Sequence, residues 1–305
     1  MEESNAKAAT AVRKAGAFWL WLRDVVQTQG GRCAIPVYIL LLLGFVAPLV
    51  MVLAFAFATP RTFTAFTSFS LENFIHIFDG STSVLWSYVW ALAFAALATA
   101  ILTVICYPVA VGMVRIFGRR CSMVISVLFV FPLFVSENVR LYGWILFFMK
   151  NGILDGTLKM LGGAGPDILY TPGMILFGIC YTYLPYMLFP IVLGVALVPQ
   201  DLLTAARDLG ASRFRTWREI ELPLAMPGVL IGMLITFVLA AGAISESKIL
   251  GGQSVVVITN DIDIALTYSQ NWPQGSAMAV VLMIVIALVT LYAFKKIDLE
   301  KILGR

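Results

Sequence analysis

Charge is what this 305-residue chain has least of. Asp, Glu, Lys and Arg make up only 12% of it, about half the share found in soluble globular domains. With 60% hydrophobic residues and a mean hydropathy of +0.92, too little polar surface exists to cover a water-exposed globule. The composition therefore excludes a soluble domain and points to an integral membrane protein. Histidine is limited to His76, so a histidine-based zinc or catalytic cluster cannot be assembled. Cys33, Cys106, Cys121 and Cys180 lie in or beside apolar runs without paired spacing. They read as small apolar residues rather than a disulfide frame or metal site. The chain has no Gly-Lys pair, hence no Gly-x-x-x-x-Gly-Lys-Ser/Thr loop to cradle ATP phosphates. Alternating strands of about 10 residues are missing, which argues against a barrel. No filter-like ring marks a channel, and no nucleophile–base pair marks an intramembrane enzyme.

Long uncharged runs are what the chain does have. Residues 34–60, 80–114, 168–200, 222–245 and 264–294 contain no Asp, Glu, Lys or Arg. Each exceeds the roughly 20 apolar residues that carry a helix across a bilayer. A sixth stretch, 121–149, is interrupted by Glu137 and Arg140. The pattern predicts an all-α protein with six spans at about 34–58, 85–114, 121–149, 171–198, 224–248 and 277–295. Ala54-Phe55-Ala56 imitates a signal-peptidase site, but 33 residues precede the first run, which reads as a retained span.

Positive charge gives the orientation. Lys7, Arg13, Lys14, Arg23 and Arg32 precede the first span, and Arg115, Arg119 and Arg120 follow the second. Arg207, Arg213, Arg215 and Arg218 follow the fourth, and Lys295, Lys296, Lys301 and Arg305 follow the sixth. The opposite side holds Arg61, Arg140, Lys150, Lys159 and Lys248. Both termini are therefore expected in the cytoplasm. The net charge of +4 requires no nucleic acid, because anionic lipid headgroups account for it. The N-terminal segment 1–33 carries Phe18-Trp19-Leu20-Trp21-Leu22 between Lys14 and Arg23. It is either a short headgroup-level helix or a poorly ordered tail. Residues 296–305 form a cytoplasmic tail.

The cytoplasmic loop 199–223 stands apart. Asp201 suits a helix N-cap and Gly210 the residue after a helix end, which predicts a short helix between them. Ser212 suits the cap of a second piece, with Pro223 expected to stop it before the fifth span. Ala205 and Ala206 keep the first helix narrow, Arg207 and Asp208 charge its edge, and Leu202, Leu203 and Leu209 are apolar. Such a helix either inserts into a partner's groove or rests on the membrane. Within the spans, Pro36, Pro48, Pro108, Pro132, Pro185 and Pro190 are kink points, and Gly228 and Gly232 allow a close helix–helix approach.

The order Ala205-Ala206, three residues, Gly210, nine residues, Ile220, one residue, Leu222-Pro223 resembles the cytoplasmic-loop signature of binding-protein-dependent ABC importer permeases. Thr204 stands where that family usually carries Glu. Arg140-Leu141-Tyr142-Gly143-Trp144, Asn151-Gly152-Ile153-Leu154, Ile249-Leu250-Gly251-Gly252 and Asn271-Trp272-Pro273-Gln274-Gly275 are similar to the spermidine/putrescine-type branch. That branch also includes carriers of opines and other amino-acid derivatives. The resemblance implies the type I ABC importer permease fold in the bacterial inner membrane. It implies two ATPase subunits that bind ATP and Mg, so this chain itself binds no cofactor. A second permease, a different chain, and a periplasmic substrate-binding protein complete the implied assembly. The ATPase-coupling surface would comprise Asp201, Thr204, Ala205, Ala206, Asp208, Gly210, Ala211, Ile220, Leu222 and Pro223. The implied work is ATP-driven alternating access for a polyamine or related amine; an ATP-independent secondary transporter or a channel is the alternative.

Ionisable groups inside a membrane usually face a cavity. Glu137 and Arg140, three apart, share one helix face, and Glu246 sits near the outer end of the fifth span. With Tyr142, Trp144, Tyr181 and Tyr183 as aromatic neighbours, they are candidates to line a path for a cation. Alternatively, Glu137 pairs with Arg140, and Glu246 with Lys248 or solvent.

Overall fold

Inside lipid a backbone has no water to bond, so an apolar run closes its hydrogen bonds within a helix. In the computed structural model, which describes residues 36–64, 69–79, 83–163 and 165–296, every regular element is helical. We label them α1 (Pro36–Ala56), α2 (Glu72–Phe78), α3 (Val84–Ile116), α4 (Arg119–Phe134), α5 (Glu137–Phe148) and α6 (Ile153–Met160). They continue as α7 (Pro172–Ala196), α8 (Gln200–Asp208), α9 (Arg213–Ala241), α10 (Ser245–Ile249), α11 (Ile258–Asp263) and α12 (Trp272–Lys296). Residues 1–35, with the expected aromatic patch and Cys33, and residues 297–305 of the tail lie outside the described residues.

Among the described residues, α1, α3, α7, α9 and α12 are each long and apolar enough to cross a membrane. The sixth span counts only if a bent pair is taken as one. Here the structure corrects the expected continuous helix 121–149. α4 and the following segment Glu137–Met160, which carries α5 and α6, meet at 102°. Pro132 removes a backbone donor near the end of α4, Val135 and Ser136 then turn extended, and the helix restarts at Glu137. Glu137 and Arg140 thus lie on a segment turned sharply away from α4. α6 lies in the loop after α5; Asp155 anchors it by pairing with Lys159 and accepting from the Asn151 and Gly165 amides.

α3, α7 and α9 pack mutually into a three-helix core, with α1 and α12 paired beside it. The core is built largely from small residues: Ala91, Ala95 and Ala98 on α3 and Ala225 on α9 are buried. α7 and α9 touch backbone to backbone at Gly194 and Gly228. A Cβ at Gly194 would stand 2.7 Å from the Ala225 carbonyl and 2.8 Å from Gly228 Cα. Gly232 meets Met187 one turn further on, so both glycines noted on the fifth span sit against α7. The Tyr88 hydroxyl donates to the Met278 carbonyl at 2.7 Å and joins α3 to α12. Outward faces are apolar, including Leu40 and Phe45 on α1 and Val104 on α3, as suits contact with lipid tails.

Two more expectations change. Pro223 does not stop the helix: α9 runs unbroken from Arg213 to Ala241. A π-turn at Trp217–Glu221 widens the ladder, with the Leu222 amide bonding back to Trp217, so the proline is absorbed without a break. The fifth span also ends earlier than 248. Gly242 closes α9 at Ala241, and Glu246 belongs to the separate helix α10.

Candidate functional site

Two constellations emerge, at opposite ends of α7. The first surrounds α8. The helix begins at Gln200, so Pro199 holds the cap position and Asp201 lies in the first turn; the expected Asp201 cap is not formed. There its charge still faces the positive helix end. The far end is a Schellman closure. Gly210, at φ +86°, donates to Arg207 O at 2.9 Å, and the Ala211 amide donates to Ala206 O at 3.0 Å. This places Gly210 where a left-handed residue is required and explains the Ala206–Gly210–Ala211 spacing. Ser212 caps the next piece by accepting from the Arg215 amide.

Leu203 is the buried anchor of α8, while Leu202, Leu209 and Phe214 are exposed, Leu209 at 90%. Asp201, Ala205, Asp208 and Pro223 are exposed, Ala206, Ala211, Ile220 and Leu222 half-buried. Thr204, exposed, bonds back to the Gln200 carbonyl at 3.2 Å and holds no other chain segment.

Arg115, at the end of α3, is the organiser that the sequence reading missed. Its Nη2 donates to the carbonyls of Val195 at 3.1 Å and Val198 at 2.8 Å, satisfying open carbonyls at the end of α7. Its Nη1 donates to Gln200 Oε1 at the start of α8. Its Nε pairs with Glu221 Oε1 at 3.3 Å, at the foot of α9. One guanidinium thus joins three core helices to α8. Its sequence signal was its position directly after an uncharged run.

The second constellation lies where α5, α7 and α10 meet. A Cβ at Gly178 would stand 2.8 Å from the Leu250 side chain and 3.1 Å from Glu246 Cγ, so the glycine lets α10 lie on α7. Glu246 is 0% exposed, and neither carboxylate oxygen has a hydrogen-bond partner. Its polar neighbours are Glu137, Arg140 and the Thr182 hydroxyl, the side chain placed to bond the carboxylate. Lys248 does not pair with Glu246, because it pairs with Asp263 instead. Ser247 donates to the Val255 carbonyl at 3.1 Å and accepts from Asn260 at 3.1 Å, fixing α10.

Arg140 forms no ion pair with Glu137. Its guanidinium carbon lies 5.6 Å from the centroid of the Tyr181 ring, and its Nε and Nη1 are buried without a partner. Trp144 packs between Phe148, Phe177 and Tyr181 at 4.9–5.7 Å between several of these rings, so it is a wall of the site and not a free face. Tyr183 is buried and faces Glu246 and Glu137 electrostatically. The structure therefore gathers Glu137, Arg140, Trp144, Tyr183 and Glu246. Tyr142 is turned away, into a groove of about 580 Å³ shared with Asn138, Tyr170, Lys248 and Asp263. From Gly178 to Ala196 the two constellations are about 27 Å apart along α7, at roughly 1.5 Å per residue.

A polytopic helical bundle with a capped amphipathic helix at one end and a buried ionic site at the other defines a membrane transport component. The family model for the binding-protein-dependent transport system inner membrane component matches residues 104–298, and the chain belongs to that family. It is thus a multi-pass inner-membrane permease subunit and not an enzyme. The spermidine/putrescine transport system permease protein PotB of Haemophilus influenzae is 32% identical over 263 residues, covering 85% of this chain and 89% of that protein. The PotB protein of Escherichia coli K12 is 30% identical over 241 residues, 76% of this chain and 86% of that one. The fold agrees with a solved bacterial ABC transporter involved in import of the acidic polysaccharide alginate, at TM-score 0.68 and 15% identity over 94% of this chain and 98% of that one. A second alginate ABC transporter structure, solved with its pentasaccharide-bound periplasmic protein, matches at TM-score 0.67 and 13% identity over 86% of this chain and 91% of that one.

Proposed function

We propose that this permease imports a polyamine, or a related amine or opine-type compound, by ATP-driven alternating access. The observation that carries the motor half of this reading is α8. Its apolar Leu202 and the following Leu209 stand exposed beside a small-residue face, with Phe214 exposed at the start of α9, while Leu203 and Arg115 tie the helix to the bundle. A helix with that surface suits insertion into a groove on an ATPase subunit. The coupling residues are Asp201, Thr204, Ala205, Ala206, Asp208, Gly210, Ala211, Ile220, Leu222 and Pro223. Two ATPase subunits carry ATP and Mg, a second permease of different sequence completes the pathway, and a periplasmic binding protein delivers the solute. Both termini are cytoplasmic, which puts α8 on the ATPase side and Glu246 toward the periplasm.

The solute class rests on the relatives named for spermidine and putrescine transport and on chemistry that agrees with them. A buried carboxylate without a partner, walled by aromatic rings, suits an ammonium group. ATP favours one permease state through the docked motor, and differential affinity drives the cycle. The test is reconstitution in proteoliposomes with the partner subunits and labelled putrescine. ATP-dependent uptake is expected. Uptake driven by an ion gradient without any ATPase would overturn the reading.

A further inference from the structure

Glu137 and Arg140 on α5 and Glu246 on α10 stand on two helices packed against each other, two acids with one guanidinium, and the two opposite charges nearest in sequence do not complete the balance. Lys248 is committed to Asp263. Arg140 itself leans on the Tyr181 ring at 5.6 Å and pairs with neither acid, leaving Nε and Nη1 without partners. A fully buried carboxylate and a buried guanidinium edge, both unpartnered and electrostatically adjacent, are each unfavourable alone. The arginine stem is long enough to swing, and an aromatic face is a resting place for its planar head.

We propose that Arg140 is a tethered counter-cation that alternates between Glu246 and the Tyr181 ring, and that a substrate ammonium takes its place beside Glu246. This rests on the proposed import of amines and deepens it by naming the residue that sets the charge requirement. The pose seen here, guanidinium on Tyr181, is the one that leaves the buried Glu246 carboxylate without an ion-pair partner. With both acids ionised, the two carboxylates and Arg140 leave a single negative charge unmatched, which admits one cationic group. A second ammonium close to the first would meet the guanidinium, and like charges repel. The site therefore takes an ammonium whose further charges are held off by an alkyl spacer, and it rejects anions. Arg140 acts as a specificity-determining residue and Tyr181 as its positioning partner.

The test is thermal unfolding of the purified transporter complex carrying Arg140→Gln, Glu246→Gln or both, with butylammonium chloride or an equal ionic strength of NaCl as probe. Arg140→Gln should melt a few degrees below wild type, and adding Glu246→Gln should recover most of that loss. Butylammonium should protect the Arg140→Gln complex more than wild type, and should not protect the double variant. Arg140→Lys, which keeps the charge, should behave nearly as wild type. Additive melting changes, or equal protection of all variants, would overturn the proposal. These readings need no transport, so failure of wild-type ATP-driven amine uptake would count against the import reading separately.

Discussion

The Arg115 guanidinium and the Glu221 carboxylate stand 3.3 Å apart, each with most of its side chain out of solvent. This pair ties the end of α3 to the foot of α9, and the same arginine holds the last carbonyls of α7. Removing one partner of a buried pair leaves the other charge unsatisfied. Arg115→Ala should therefore cost roughly 2–4 kcal/mol of stability and more than Glu221→Gln, since it also frees two carbonyls. Thermal unfolding of both single variants and the double variant checks this. Equal effects of the two single changes would contradict the hub role.

Gly194 and Gly228 allow α7 and α9 to touch through their backbones. Gly194→Ala should be destabilised by about 1–3 kcal/mol, the usual range for overpacking. Gly143→Ala is the control, because a Cβ there meets nothing within 4 Å. The control should be neutral or slightly more stable by chemical denaturation.

Gly210 sits at φ +86° in open space, so its side-chain cost is conformational and not steric. Gly210→Ala should lose about 1–2 kcal/mol locally while keeping the fold. Gly210→Asp should insert into membranes normally but lose ATPase co-purification or substrate-stimulated ATP hydrolysis. Intact coupling in that variant would remove α8 from the motor interface.

Glu246 separates function from stability. Replacing an unpartnered buried carboxylate by a neutral amide relieves a desolvation penalty. Glu246→Gln should melt at or above the wild-type temperature, yet ATP-driven uptake of putrescine should fall by about tenfold or more, the equivalent of about 1.4 kcal/mol. Uptake at the wild-type rate would exclude the carboxylate from the path.

The apolar runs were legible because hydropathy reports what a lipid tail would touch, and α1, α3, α7, α9 and α12 followed them closely. Direction is not written in hydropathy, so the bend between α4 and α5 passed unseen; Pro132 marked a kink point without its angle. The motif around Gly210 was readable because the Schellman closure is local, contained within a few residues. Arg115 was not, since its partners Val195, Val198, Gln200 and Glu221 are distant in sequence. Tyr142 and Trp144 looked equivalent on paper, two residues apart. On a helix that spacing points them to different sides, one into the aromatic wall and one into the neighbouring groove.

The glycine contact between α7 and α9 bears on how motion travels. At Gly194 and Gly228 no side chain lies between the two helices, so that contact has no soft layer to compress and meshes like gear teeth without backlash. A displacement applied at α8 enters both helices together through Arg115 and Glu221. It then reaches Gly178, on which Glu246 rests, with little slack to absorb it.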